Sequence, residues 1–280
     1  MSQLPSQCCA TGSLHTGTPS GRISKVHGLD CYIAEPSSGS APKGVVVILP
    51  DAFGWTLPNS RILADGYAKK GGFLVLLPEF MNGHGLPADV LRSFEALTAP
   101  GLVANVKKVY HLLYMLTFFL PFLFFMRDSV ARPRIFNFFR ALRLAEAKDL
   151  PLGCAGFCWG GYWVMQLCAD KTDVVDCGFT AHPSFLSVPK DIEAVVKPVS
   201  VAAALDDHQL PRDKMEVAKD ILMAKSKKGD VEHEFVVYEG AKHGFAVRAN
   251  EDDKEEARRG KEAEEQAINW FSRCFDAVRR

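Results

Sequence analysis

The sequence predicts an α/β fold, a mostly parallel central sheet flanked by helices. Three observations carry this. Short apolar runs alternate with helical patterns along most of the 280 residues. The run Gly156-Phe157-Cys158-Trp159-Gly160-Gly161 joins an apolar strand pattern, Leu152 to Phe157, to a helical one beginning with Tyr162 and Trp163. Two polar clusters, Asp206-Asp207-His208 and Lys242-His243-Gly244, stand just past later strand patterns, at the sheet edge where open α/β folds collect their ligand sites.

In chain order, residues 1–22 are rich in Ser, Thr, Gly and Pro and read as an irregular arm. Strands are expected near 30–34, 45–49, 73–77, 152–157, 175–181, 198–205 and 234–238. Helices are expected over 59–70, 87–98, 134–148, 159–170, 213–228 and 251–278, with Pro36 to Lys43 an exposed loop. The last helix carries one apolar stripe, Ala267, Ile268, Phe271, Phe275 and Val278. No internal repeat breaks the chain, so residues 23–280 read as one domain.

Val109 to Met126 stands apart. It is apolar except for His111 and Thr117 and holds Tyr110, Tyr114, Phe118, Phe119, Phe122, Phe124 and Phe125. A membrane span needs roughly 20 apolar residues, but this stretch carries Pro121 and lies between parts of one sheet, which a span would split. It is expected to be a helical cap within an insertion at about 100–148, supplying apolar walls to a pocket. The other readings are a membrane patch or a surface for a second subunit.

The elbow at Cys158 carries the chemistry. A strand turning sharply into a helix strains the nucleophile's backbone, and glycines at 156, 160 and 161 remove side chains that would collide. The thiol then stands at a helix N-terminus, where the macrodipole favours thiolate and the Trp159 N–H can receive an oxyanion. The plain alternative is a glycine-rich turn with a buried cysteine. A cysteine nucleophile requires a base with an orienting acid behind it. His243 is the base candidate and Asp207 the carboxylate that fixes its tautomer, in the chain order nucleophile, acid, histidine. The plain alternatives are a loop histidine and a helix cap. Pro50-Asp51-Ala52-Phe53-Gly54 follows an early strand, and that position supplies the second oxyanion N–H, here Ala52.

These motifs make the chain resemble the dienelactone hydrolase family of the α/β-hydrolase superfamily, in particular its fungal branch, over nearly its whole length. The amino-terminal Cys8-Cys9-Ala10-Thr11-Gly12 is similar to fungal members as well. The resemblance implies a Cys158-Asp207-His243 triad, hydrolysis of lactones and esters of the carboxymethylenebutenolidase type, and no metal or organic cofactor. In bacterial members a glutamate thought to hold the resting thiol precedes the oxyanion residue; Asp51, one methylene shorter, takes its place here. Arg248 stands near where the family carries a substrate-binding arginine, one residue further from the histidine than in bacterial members. The segment His182-Pro183-Ser184, just after the strand expected at 175–181, is a further pocket candidate by topology, with His182 as its leading residue; the plain alternative is a polar loop.

Lys and Arg number 33, equal to Asp and Glu, so charge gives no argument for nucleic acid or an anionic membrane. The eight cysteines show no metal-ligand spacing and are expected to be reduced thiols. Neither end carries a secretory or peroxisomal signal, so a cytoplasmic location is expected. The partner is a small lactone or ester, with the chain a monomer or homodimer. Two other functions use the same residues: a thioesterase or acyl-transfer enzyme on a secondary-metabolite intermediate, or a non-catalytic small-molecule binder of the same fold. A preference for acyl thiols over lactones would select the first; salt-resistant liposome binding without turnover would select the second.

Overall fold

A computed structural model describes residues 13–37, 40–90, 93, 102–229 and 231–279. Eight strands form one sheet in the order β1-β2-β4-β3-β5-β6-β7-β8. They are β1 (Arg22–Val26), β2 (Leu29–Ala34), β3 (Val45–Leu49), β4 (Leu74–Pro78), β5 (Leu152–Phe157), β6 (Cys177–Ala181), β7 (Val199–Asp206) and β8 (His233–Lys242). β1 and β2 are antiparallel, β2 is antiparallel to β4, and every other pair is parallel. The central strands are buried on both faces, which is why β3, Val-Val-Val-Ile-Leu, reads as an unbroken apolar run rather than an alternating one.

The helices are α1 (Pro58–Gly71), α2 (Leu102–Phe125), α3 (Asp128–Leu144), α4 (Trp159–Cys168), α5 (Lys190–Glu193), α6 (Arg212–Lys227), α7 (Phe245–Arg248) and α8 (Lys254–Val278). α8 begins at Asp253, whose carboxylate accepts the N–H groups of Glu255 and Glu256 and so satisfies two of the orphan donors of the first turn. It lays Ala263, Ala267, Trp270, Phe271 and Phe275 onto the sheet. Phe275 meets Phe73 edge to face with ring centroids 5.4 Å apart.

The seven expected strands and the helices after β5 fall close to their expected places. The helix expected over 87–98 lies mostly outside the described residues, as do residues 1–12 of the arm with Cys8 and Cys9. Three elements differ from expectation. β1 was hidden because Arg-Ile-Ser-Lys-Val is a polar edge strand with little apolar alternation, paired to β2 through the turn at His27 and Gly28, both at positive φ. α3 begins at Asp128 rather than near 134: Pro133 suggests a start behind it, but the Asp128–Arg132 pair one turn apart secures the preceding turn. β8 runs on to Lys242, which carries the chain directly to His243.

α2 and α3 fill the long connection between β4 and β5. α2 packs Met115, Phe119 and Phe122 inward, and Met126 just beyond it is buried too. Among the described residues this is the one helix long and apolar enough to cross a membrane by length and composition; only 17% of its apolar window is buried.

Candidate active site

Five loops meet at the carboxyl edge of the parallel strands, following β3, β5, β6, β7 and β8, and each brings a polar side chain. The β5–α4 turn is the sharpest. Cys158 has φ 54° and ψ −112°, a conformation that side-chain-bearing residues rarely adopt. Glycine is obligatory beside it: a Cβ on Gly160 would overlap the Leu49 carbonyl, and one on Gly156 would overlap the Gly160 carbonyl. The thiol is buried at the first turn of α4.

His243 and Asp207 lie beside it. Asp207 accepts the His243 Nδ1–H through Oδ2 at 2.8 Å and Oδ1 at 3.0 Å, and its Oδ1 is anchored by the Gln209 N–H at 2.8 Å. Both side chains are out of contact with water. Burial pushes the imidazole pKa down, but the Cys158 and Asp207 charges, with hydrogen bonds to both, outweigh burial and hold it well above 6.5. The direction of this shift favours the protonated ring.

Ser184 joins this cluster. Its Oγ is 3.3 Å from Cys158 Sγ and 3.5 Å from His243 Nε2, and its N–H donates to the Cys158 carbonyl at 2.9 Å. Sequence reasoning placed this serine only within a topological candidate segment, His182 to Ser184. The available signal was its position just past a strand at the carboxyl edge.

His182 lies behind the triad. It is fully buried, neither ring nitrogen has a hydrogen-bond partner among the described residues, and its ring meets His243 edge-on at 4.9 Å between centroids. Burial first, and then the neighbouring His243 charge, push its pKa well below 6.5. It is a neutral wall for the imidazolium.

Asp51 and Arg248 form a fully buried ion pair. Asp51 Oδ1 also accepts the Phe53 N–H at 3.0 Å, its carbonyl accepts the Gly54 N–H at 3.0 Å, and the Arg248 guanidinium lies 5.0 Å from the Phe53 ring centroid. The pair thus clamps the loop that carries Ala52. With the Asp51 carbonyl turned into this loop, the trans peptide sends the Ala52 N–H the opposite way. Among the described residues, neither that N–H nor the N–H of Trp159 has a protein acceptor. No group of three or more His, Cys, Asp or Glu able to hold a metal ion occurs among the described residues.

This sheet order, with its edge of convergent loops, defines an α/β-hydrolase. The sequence matches the dienelactone hydrolase family over residues 29–275, and the chain belongs to that family. It is 27% identical over 278 residues to hydrolase pyvD of Aspergillus violaceofuscus, covering 96% of each chain. Identity to hydrolase tropI of Talaromyces stipitatus is 29% over 274 residues, covering 97% of this chain and 98% of that one. Dienlactone hydrolase 1 of Gibberella moniliformis is 26% identical over 271 residues, covering 96% and 92%. A solved structure from Klebsiella pneumoniae superposes with a TM-score of 0.63 at 19% identity, covering 87% of this chain and 92% of its own. The dienelactone hydrolase of Anabaena variabilis superposes with a TM-score of 0.55 at 13% identity, covering 92% and 98%. The protein is a hydrolase acting on ester or lactone bonds.

Proposed function

We propose that this protein is a cysteine hydrolase of lactones or activated esters working through Cys158, His243 and Asp207. The observation that carries this reading is the geometry of the cluster: His243 Nδ1 lies 2.8 Å from the buried carboxylate of Asp207, and Cys158 stands beside it in a strained turn at the start of α4.

In the resting site the sulfur is a thiolate and His243 carries the proton. The thiolate adds to the substrate carbonyl, and the N–H groups of Ala52 and Trp159 receive the oxyanion. Collapse breaks the ester C–O bond; His243 Nε2 gives its proton to the leaving oxygen, and the acyl group stays on sulfur as a thioester. His243, now neutral, takes a proton from water as that water adds to the thioester. Collapse of the second intermediate breaks the C–S bond, releases the acid and expels the Cys158 thiolate, which again faces the imidazolium formed when the water added. Asp207 keeps Nδ1 protonated throughout, so that Nε2 is the nitrogen that exchanges the proton.

Under this reading Asp51 and Arg248 act through the loop they clamp, and His182 acts through His243. α2 and α3 are a cap bounding the pocket, and the enzyme works in the cytoplasm without a metal or organic cofactor. Sulfur leaves readily, which suits strained and enol lactones and aryl esters better than amides.

The test is hydrolysis of a panel of p-nitrophenyl esters, enol lactones and dienelactones by wild type and Cys158→Ala. Turnover abolished in the variant is expected. Full activity in Cys158→Ala would overturn the assignment.

A further inference from the structure

The cap helix α2 leaves an unusual surface. At 100° per residue, Met115, Phe119, Phe122 and Met126 share its inner face, while Val109, Tyr110, Leu113, Leu120 and Phe124 share the outer one, each more than half exposed. From Val109 to Phe124 this face runs about 22 Å at 1.5 Å per residue. Among the described side chains the exposed polar residue on that face is Thr117, and its hydroxyl donates back to the Tyr114 carbonyl at 2.6 Å. The face therefore presents a hydroxyl that does not depend on water for its donor bond.

The rim is basic. From Lys108 to Leu144 the cap carries six basic residues, Lys108, Arg127, Arg132, Arg134, Arg140 and Arg143, against one acid, Asp128, which pairs with Arg132. Lys108 stands at one end; Arg127 stands at the other, its guanidinium 3.9 Å from the Phe124 ring centroid and donating to the Phe124 carbonyl at 2.7 Å. That is the posture of a snorkelling arginine, its stem along apolar surface and its charge at the edge. Arg140 of α3 is exposed as well. A second copy docked on this face, parallel or antiparallel, would bring basic ends against basic ends. An anionic lipid surface meets the same face with complementary charge.

A groove lies beside the face, lined in part by neighbours in the chain of the site residues. Past the end of α2, it measures about 380 Å³, with an apolar wall that includes Phe122, Leu123, Met126, Trp159 and Phe185, and a charged wall of Arg127, Asp128, Lys190 and Asp191. Leu123 belongs to both the groove and the outer face; Trp159 follows Cys158, and Phe185 follows Ser184 in the chain.

We propose that the outer face of α2 docks on an anionic lipid surface, and that the groove at its end receives an apolar ester or lactone dissolved in that surface. The second half rests on the hydrolase reading above; the first does not.

The test uses the full chain in flotation with vesicles of phosphatidylcholine alone or mixed with phosphatidylserine. Wild type is expected to float, more strongly with phosphatidylserine, and to keep part of its binding at high salt because the contact is largely apolar. The triple variant Leu113→Glu/Leu120→Glu/Phe124→Glu is expected to lose binding at least about tenfold, while its hydrolysis of water-soluble p-nitrophenyl acetate matches wild type and reports an intact fold. Arg127→Glu alone is expected to reduce only the preference for phosphatidylserine. On a long-chain p-nitrophenyl ester carried in the vesicles, wild type is expected to outpace the triple variant by a similar factor. Failure of wild type to float with either vesicle overturns docking, as does a solution dimer that the triple variant dissociates, since a second copy then covers the face. Equal rates on the vesicle-borne ester overturn the substrate half. Flotation with no ester turned over by wild type supports docking and overturns the hydrolase reading instead.

Discussion

Substituting Asp51 by alanine removes the carboxylate partner of the Arg248 guanidinium in a site with no solvent contact, because both side chains of this pair are fully buried. Breaking one partner of such a pair costs about 3–5 kcal/mol, since the remaining charge keeps its desolvation penalty and loses its compensation. Asp51 also accepts the Phe53 N–H, a bond to a charged group, which favours the upper part of that range. With a urea dependence of about 3 kcal/mol per molar, a loss of about 4 kcal/mol moves the unfolding midpoint down by roughly 1.3 M. Arg248→Met should behave similarly. The double variant Asp51→Leu/Arg248→Met removes both charges and is expected to lie within about 1 kcal/mol of wild type, because an apolar pair of similar volume owes no desolvation. Urea unfolding of the four proteins followed by tryptophan fluorescence closes the cycle, with a coupling energy above about 3 kcal/mol expected. Because the pair clamps the Ala52 loop, Asp51→Ala should also lower kcat more than it raises KM. Single variants that each shift the midpoint by less than about 0.3 M, and that add independently, would refute the argument.

Further outcomes follow from the same geometry. Alkylation of Cys158 by iodoacetamide should stay fast near pH 6, well below the roughly 8.5 at which an ordinary thiol ionises, and His243→Gln should move the midpoint upward; identical profiles would contradict the ion pair. Ser184→Ala should retain turnover, slowed about tenfold or less for the loss of about 1 kcal/mol of hydrogen bonding; inactivation as complete as in Cys158→Ala would make the serine indispensable. His182 is held neutral in the fold, so the unfolded chain takes up its proton first as pH falls below 6.5, and stability is lost in that window. His233, lowered to about 4, adds to the same slope. His243, displaced upward, costs stability only as pH rises above 6.5 through its folded value, so it leaves the acid window alone. His182→Phe should flatten the decline from pH 6.5 to 5 by up to about 1.4 kcal/mol per pH unit, read from urea midpoints; an unchanged slope would remove His182 from the account.

The elbow was legible in the sequence because its chemistry constrains its neighbours: close backbone approaches demand glycine at 156 and 160, and those glycines are visible in one dimension. Asp207 and His243 were legible because each follows a strand whose apolar run announces it. What escaped depended on three-dimensional placement. Ser184 reaches Cys158 because β6 lies beside β5 and because His182, at φ 40°, turns the chain just past β6. Asp51 and Arg248 are 197 residues apart, and nothing local declares that one will neutralise the other. β1 lacked the apolar alternation that marks a strand, being an exposed edge. Composition flagged α2 as apolar, but that Met115, Phe119 and Phe122 are the side chains it buries is decided by the rest of the fold.

The most direct test of the central claim is to quench wild type during turnover of a slowly hydrolysed p-nitrophenyl ester and map the modified peptide by mass spectrometry. The account predicts one acyl group, on Cys158 and removable by hydroxylamine. An acyl group on Ser184, or turnover at full rate with no acylated residue, would contradict it.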